Sequence, residues 1–192
     1  TGRDWAKKTA LPVLTFSVHA SKEASVCPVE RILGANGIDA KILVRGKETT
    51  IHSSLVGEFN LSNILAAVAV AEALEIPLSV TKEAILKFQT VPGRLERIKN
   101  SKGVHVFVDY AHTPDALEKL LMSLRRFDPK RLIVVFGCGG DRDKKKRPIM
   151  GEVVSKNADI AIVTSDNPRS EEPSAIMKDI IKGAIDKKKC QV

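Results

Sequence analysis

The sequence predicts an α/β protein whose second half is built on a parallel sheet, preceded by a strand- and helix-rich region. Two observations predict it. From residue 105 onward apolar runs alternate with helical patterns, in "HVFVDYA", "TPDALEKLLMSLRRF", "RLIVVFGC", "RPIMGEVVSKNA", "DIAIVTSD" and "EPSAIMKDIIKGAID". Strands apolar along their whole length and spaced by helices belong to βαβ units, with helices covering the sheet. The second observation is composition: 43% of the 192 residues are hydrophobic, enough for a sizeable core.

The elements follow in order. Residues 21–57 hold short β-rich runs, "AKILVRG" and "TTIHSSLVG", split by "GANG" and "RGKE", and predict hairpin strands. "NLSNILAAVAVAEALEI" (60–76) reads as a buried helix with an Asn or Ser to cap its start. "PLSVTKEAILKFQT" (77–90) reads as an amphipathic helix, and "VPGRLERI" (91–98) as a domain junction. Strands are then expected at 105–111, 131–138 and 159–166, and helices at 113–127, 147–158 and 172–186. Pro114 falls in the first turn of its helix, where no backbone N–H is needed.

The chain has no run of about 18 apolar residues, so no membrane span is expected. Its start, "TGRDWAKKTA", lacks the apolar run of a signal peptide and begins at Thr1, which predicts a piece of a longer protein. Cys27, Cys138 and Cys190 are odd in number and far apart; they fit neither a disulfide frame nor a zinc site and point to a reducing cytosol. The net charge of +8 raises nucleic acid as a partner, but aromatics are only 4% and the lysines are scattered. Stacking platforms are therefore missing, and anionic small molecules are the expected partners.

In open α/β sheets ligands sit at the carboxyl ends of the strands, and three motifs fall there. In "GCGGDRDKKKR", Gly137, Gly139 and Gly140 allow close backbone approach, and Arg142 offers a fork for a carboxylate. The G-x-x-x-x-G-K-[ST] spacing of a phosphate loop is absent, and the stretch also fits a solvated basic loop. In "TSDNPR", Asp166 and Asn167 suit an ammonium and Arg169 a carboxylate, on a turn stiffened by Pro168. An ordinary strand-to-helix turn reads the same way. In "DYAHTPD", Asp109 stands where a carboxylate takes ribose hydroxyls, and His112 is as readily structural as functional. Asn60 and Asn63, one turn apart, fit helix caps, and Cys138 a small buried residue.

Taken together, "GEFNLSNILAAVAVAEAL", "VPGRLERI", "VDYAHTPDALEKLL", "VFGCGGDRDKKKRPIMGEVV" and "VTSDNPRSEEP" closely resemble the Mur ligases, and among them the type that adds the third residue of the peptidoglycan stem peptide. The likeness is continuous over 57–181 and loose before it. It implies that residues 1–91 are the end of a central ATP-binding domain, and 92–192 most of a Rossmann-like C-terminal domain that brings the amino acid. It implies a cytoplasmic enzyme of cell-wall synthesis that uses ATP and Mg²⁺. Its substrates would be UDP-N-acetylmuramoyl-L-alanyl-D-glutamate and meso-diaminopimelate, joined through an acyl phosphate. By the same resemblance Asn60 and Asn63 lie near the adenine, Arg94 near the phosphates, Asp109 at the ribose and His112 close to the nucleotide. Arg142, Asp166, Asn167, Pro168 and Arg169 would hold the incoming diaminopimelate.

The resemblance places no catalytic residue and no metal ligand inside this chain. The family's phosphate loop, Mg²⁺ ligands and carbamylated lysine would precede Thr1, and its "GKGHE"-like stretch would follow Val192. The 192 residues alone are thus expected to be inactive. "DNPR" is the form associated with diaminopimelate, whose distal carboxylate lysine lacks. An Arg169 left desolvated and unpaired would discriminate by about 10⁴ or more. Alternatives are a lysine-adding, folylpolyglutamate- or cyanophycin-synthetase-type ligase, a sensor that keeps the fold, or a basic nucleic-acid binder.

Overall fold

The computed structural model describes residues 2–192, the side chain of Arg3 excepted. The chain divides into two compact units, residues 1–109 and 110–192.

The first unit opens on a short helix, α1 (Gly2–Lys8). Its centre is an antiparallel meander of β1 (Val26–Gly34), β2 (Gly37–Val44) and β3 (Lys47–Ser53). "GANG" and "RGKE" are hairpin turns as expected, with Gly34 opposite Gly37 and Val44 opposite Lys47. Arg45 and Gly46 both have positive φ, 46° and 80°, the turn whose twist matches a two-residue hairpin. Pro28 cannot donate to the ladder, and the register slips between Pro28 and Glu30.

Alternate residues of β2 (Ile38, Ala40, Ile42 and Val44) are buried. They pack in one core with Leu61, Ile64, Leu65 and Val68 of α2 (Glu58–Ala73). Burial of each such Leu, Ile or Val contributes about 1.5–3 kcal/mol, so Leu65→Ala, at a site with no exposed surface, would cost about 2–5 kcal/mol. The start of α2 departs from the expected Asn or Ser cap. Its cap residue is Gly57, with no side-chain cap bond. Gly57 sits at φ 92°, and a Cβ there would lie 3.1–3.2 Å from Phe59 and Leu95, so the chain turns where only glycine fits. α3 (Leu78–Lys87) follows.

The segment 105–111 also departs from expectation. It is a strand only over β5 (Val106–Val108), which pairs antiparallel with β4 (Glu96–Ile98) and lies in the first unit. The reason is local closure: Asn100 bonds the carbonyls of Ile98 and Val104 and turns the chain back within a few residues. A short loop has the smaller closure cost.

In the second unit the βα rhythm is as predicted. α4 (Pro114–Arg125) has Pro114 in its first turn, and its cap Thr113 accepts from the Ala116 amide. β6 (Ile133–Phe136), α5 (Lys146–Asn157), β7 (Ile160–Val163) and α6 (Pro173–Lys182) alternate after it. The sheet is parallel, in the order β6-β7-β8, with β8 being Cys190–Gln191. Leu121, Met150, Val154, Val163 and Ile180 form its core. This is the predicted α/β class, with 190–191 standing where 105–111 was expected as third strand. Cys27 and Cys138 are buried and Cys190 is half-buried, all three unbridged.

Candidate nucleotide and amino-acid sites

The loops after β6 and β7 lie against each other. The Gly140 amide donates to Asn167 O at 2.8 Å, and Arg169 Nη1 donates to Gly140 O at 2.5 Å. A Cβ on Gly140 would sit 1.8 Å from Pro168 O, so only glycine allows this contact. Asp141 and Arg169 both occupy the left-handed region, at φ 53° and 51°, held by the bonds on either side. The Asp141 carboxylate accepts from Ser170 Oγ at 2.6 Å and from the Ser170 amide at 3.3 Å. These bonds hold Asp141 below the usual carboxylate range. The structure thus brings Arg142, Asp166, Asn167, Pro168 and Arg169 to one end of the sheet. Arg142, Asp166, Asn167 and Arg169 are exposed there, and Arg142 makes no side-chain hydrogen bond or ion pair among the described residues. Arg169 is exposed and already bonded to Gly140 O, so a bound lysine would leave no buried, unpaired guanidinium, and discrimination of about 10⁴ is not expected from it.

Beneath the loops lies a group that sequence reasoning missed. Arg147, with 1% of its side chain exposed, pairs with both oxygens of Glu171, at 2.7 and 3.0 Å, and with Asp179 at 3.2 Å. Glu171 also accepts from the Asp141 amide at 2.7 Å and from Lys144 at 3.0 Å. The Arg147 fork, that amide and Lys144 hold the Glu171 carboxyl down at about 2. Lys182 first, then Arg147, lowers Asp179. The signal was present in the sequence: Arg147, Met150 and Val154 fall at i, i+3 and i+7, a charge inside an apolar helical stripe. Cys138 is buried 3.6 Å from Met150 Sδ, and burial pushes its thiol up, so it stays a small neutral core residue.

His112, also in this unit, is exposed. Its Nδ1 donates to Tyr110 O at 3.0 Å, and its carbonyl accepts from Lys146 Nζ at 2.8 Å. In the neutral ring Nε2 is then the acceptor.

The first unit carries the other four residues. Asn60 is buried; its Nδ2 donates to Val56 O at 2.8 Å, and its Oδ1 accepts from Asn63 Nδ2 at 3.4 Å. Both amides line a largely apolar cavity of about 530 Å³, walled by Ala67 and Ala71 of α2 and by Val80, Ala84 and Phe88. Asp109 accepts from the Leu95 amide at 2.8 Å, fixing the turn that carries the exposed Arg94. Leu95 meets Gly57 at the foot of α2, so Asn60, Arg94 and Asp109 converge on one corner of the unit.

A model of the Mur ligase glutamate ligase domain matches residues 93–192, and one of the Mur ligase middle domain matches 1–71. The chain belongs to the Mur ligase family. It is 45% identical over 174 residues to the UDP-N-acetylmuramoyl-L-alanyl-D-glutamate–2,6-diaminopimelate ligase of Geobacter sulfurreducens, covering 91% of this chain and 34% of that protein. For the ligase of the same name from Clostridioides difficile the figures are 47% over 179 residues, 93% and 36%. This Mur ligase chain therefore spans about a third of the length of these relatives. A solved structure of a diaminopimelate ligase superposes with a TM-score of 0.65 at 36% identity, over 90% of this chain and 35% of that one. Mycobacterium tuberculosis folylpolyglutamate synthase complexed with ADP shares the fold at a TM-score of 0.68 and 22% identity, over 88% of this chain and 38% of its own.

Proposed function

We propose that this Mur ligase chain carries the amino-acid pocket and part of the nucleotide pocket of a cytoplasmic, ATP-dependent ligase of peptidoglycan synthesis. The reaction joins meso-diaminopimelate to the D-Glu carboxylate of UDP-N-acetylmuramoyl-L-alanyl-D-glutamate. In this reading residues 1–91 end the ATP-binding domain and 92–192 form most of the amino-acid domain. The observation that carries the reading is the pair of interlocked loops, which hold Arg142 and Arg169 at one end of a parallel sheet beside Asp166 and Asn167. Two guanidinium groups suit the two carboxylates of diaminopimelate, and the acid and amide suit its ammonium groups. The diaminopimelate ligases named above are similar over nine-tenths of this chain.

The residues present fit a nucleoside. The apolar cavity beside Asn60 and Asn63 suits a flat base, Asp109 a ribose hydroxyl, and Arg94 the charged end. ATP, when bound, supplies the phosphoryl group that activates the carboxylate; these residues hold and orient it. For Mg²⁺ no group of three His, Cys, Asp or Glu side chains that could hold the ion exists among the described residues. The amino-acid loops then present a diamino acid in one orientation, with its attacking amine fixed by the grip on its far carboxylate.

Arg169 is already bonded to Gly140 O, so the preference over lysine rests on one charge-assisted contact, about 1.5–3 kcal/mol or about 10- to 150-fold. An amide-shift titration of the chain with meso-diaminopimelate and with L-lysine tests this. Shifts at Arg142 and Asp166–Arg169 with diaminopimelate, and far weaker ones with lysine, are expected. Equal shifts with both would overturn the assigned substrate.

A further inference from the structure

We propose that Arg147 and Glu171 are positioning residues for amino-acid binding: a buried ionic brace that sets the spacing of the two loops without touching the ligand. The identity of that ligand rests on the reading above; the brace does not. Glu171 is the hub. One of its oxygens takes the Asp141 amide from the first loop and Arg147 Nη2, the other takes Arg147 Nη1 and Lys144. Glu171 itself lies two residues past Arg169, on the second loop. Asp141, one residue before Arg142, returns the contact by accepting from Ser170. Each ligand-facing arginine is thus within two residues of a group tied across the gap.

Stability alone does not account for burying this arginine. Its Nε has no hydrogen-bond partner in the structure although it is fully buried, and apolar residues of like volume often replace buried ion pairs without loss. An apolar pair would fill the space yet leave the Asp141 amide without its acceptor and the spacing unset. The planar fork of Arg147 grips Glu171 at two points and so fixes its orientation as well as its distance.

The test combines hydrogen exchange with titration on the chain and on two variants. Glu171→Gln keeps the shape and removes the charge; Arg147→Lys keeps a charge and removes the fork. Exchange at Gly139–Arg142 and Asn167–Ser170 is expected to rise about tenfold or more in both, while Leu117–Leu121 stays within about twofold. Diaminopimelate affinity should fall about tenfold or more, and its preference over L-lysine should narrow. If Arg147→Lys also loosens the core, Glu171→Gln alone decides. Loops as protected as in the parent chain would overturn the brace, whatever the ligand does. Loops loosened in the variants, with a parent chain that binds neither amino acid, would uphold the brace and overturn the assigned ligand.

Discussion

The loops that carry Arg142 and Arg169 are joined by an ionic network, while Asn60, at the start of α2, is held by bonds between neutral amides. In the first region Arg147, Glu171, Lys144 and Asp179 form an ionic network joining the start of α5 to the loop after β7 and to α6. In the second, Asn60 ties to Val56 O, Asn63 to Asn60, and Asp109 to the Leu95 amide. The difference follows from what each region is proposed to hold. Cations that must meet two carboxylates at a fixed spacing need rigid loops, and an ionic network that crosses between the loops supplies that rigidity. A flat base against apolar walls needs only shape and a few amides. Disturbing charge should therefore damage the amino-acid loops first.

The largest effect is expected from Arg147→Met. It leaves Glu171 with its main partner gone beneath the loops, and removal of one member of a buried pair costs about 3–5 kcal/mol. A fall of that size in the unfolding free energy of the second unit, seen as a lower denaturant midpoint, with Asn60 side-chain signals unchanged, would sharpen the contrast. An unchanged midpoint would break it.

Next comes Gly140→Ala. The new methyl group would meet Pro168 O at 1.8 Å, so the two loops must separate, at about 1–3 kcal/mol. Diaminopimelate shifts should vanish while Cys138 and Met150 stay packed. If the shifts persist, the loops tolerate a spacing that the proposed pocket does not.

Asp109→Ala addresses the turn at Leu95 in the first unit. Leu95 is 3% exposed, and an amide deprived of its acceptor costs about 1–3 kcal/mol. Asp109→Asn keeps an oxygen in place and should recover most of that loss. A large cost for the Asn variant would show that charge matters here too.

The βα rhythm, the hairpin turns and the three loop motifs were legible because each is a local pattern: a period, a positive-φ turn, an apolar run. The sequence placed Arg142 and Arg169 on two loops; their interlocking through Gly140 required coordinates, since it joins residues 29 apart. Arg147 was overlooked because basic residues crowd around it, in "DKKKR", and only its alignment with Met150 and Val154 on one helical face separates it from the three lysines before it. The misread strand at 105–111 has the same origin. An apolar run says that a strand exists but not which partner it takes, and Asn100 settled that by closing a hairpin. Asn60 was legible as a residue type but not as a buried one. Its cap role fell to Gly57 because the helix begins two residues earlier.

The smallest effect is a titration, and it separates the two regions without any substitution. Glu171 titrates at about 2 in the folded chain against an ordinary 4.5. A lowered carboxyl contributes stability in full above its unfolded value and loses it as pH falls toward the folded one. Asp141, lowered by Ser170, and Asp179, lowered chiefly by Lys182, act with the same sign. The loops should therefore loosen between about pH 4.5 and 2, and salt should soften the contrast because Lys144 and Lys182 are open to solvent. The Asn60–Val56 bond has no titrating partner and should outlast them. Amide shifts of Gly140 and Ser170, followed with the Asn60 side-chain signal from about pH 6 down to about pH 2, would read both regions at once. Loops that move first confirm that charge holds them. Simultaneous loss would mean that the brace is no weaker to acid than the fold around it, and that the loops are held chiefly by the Gly140 contacts with Asn167 and Arg169.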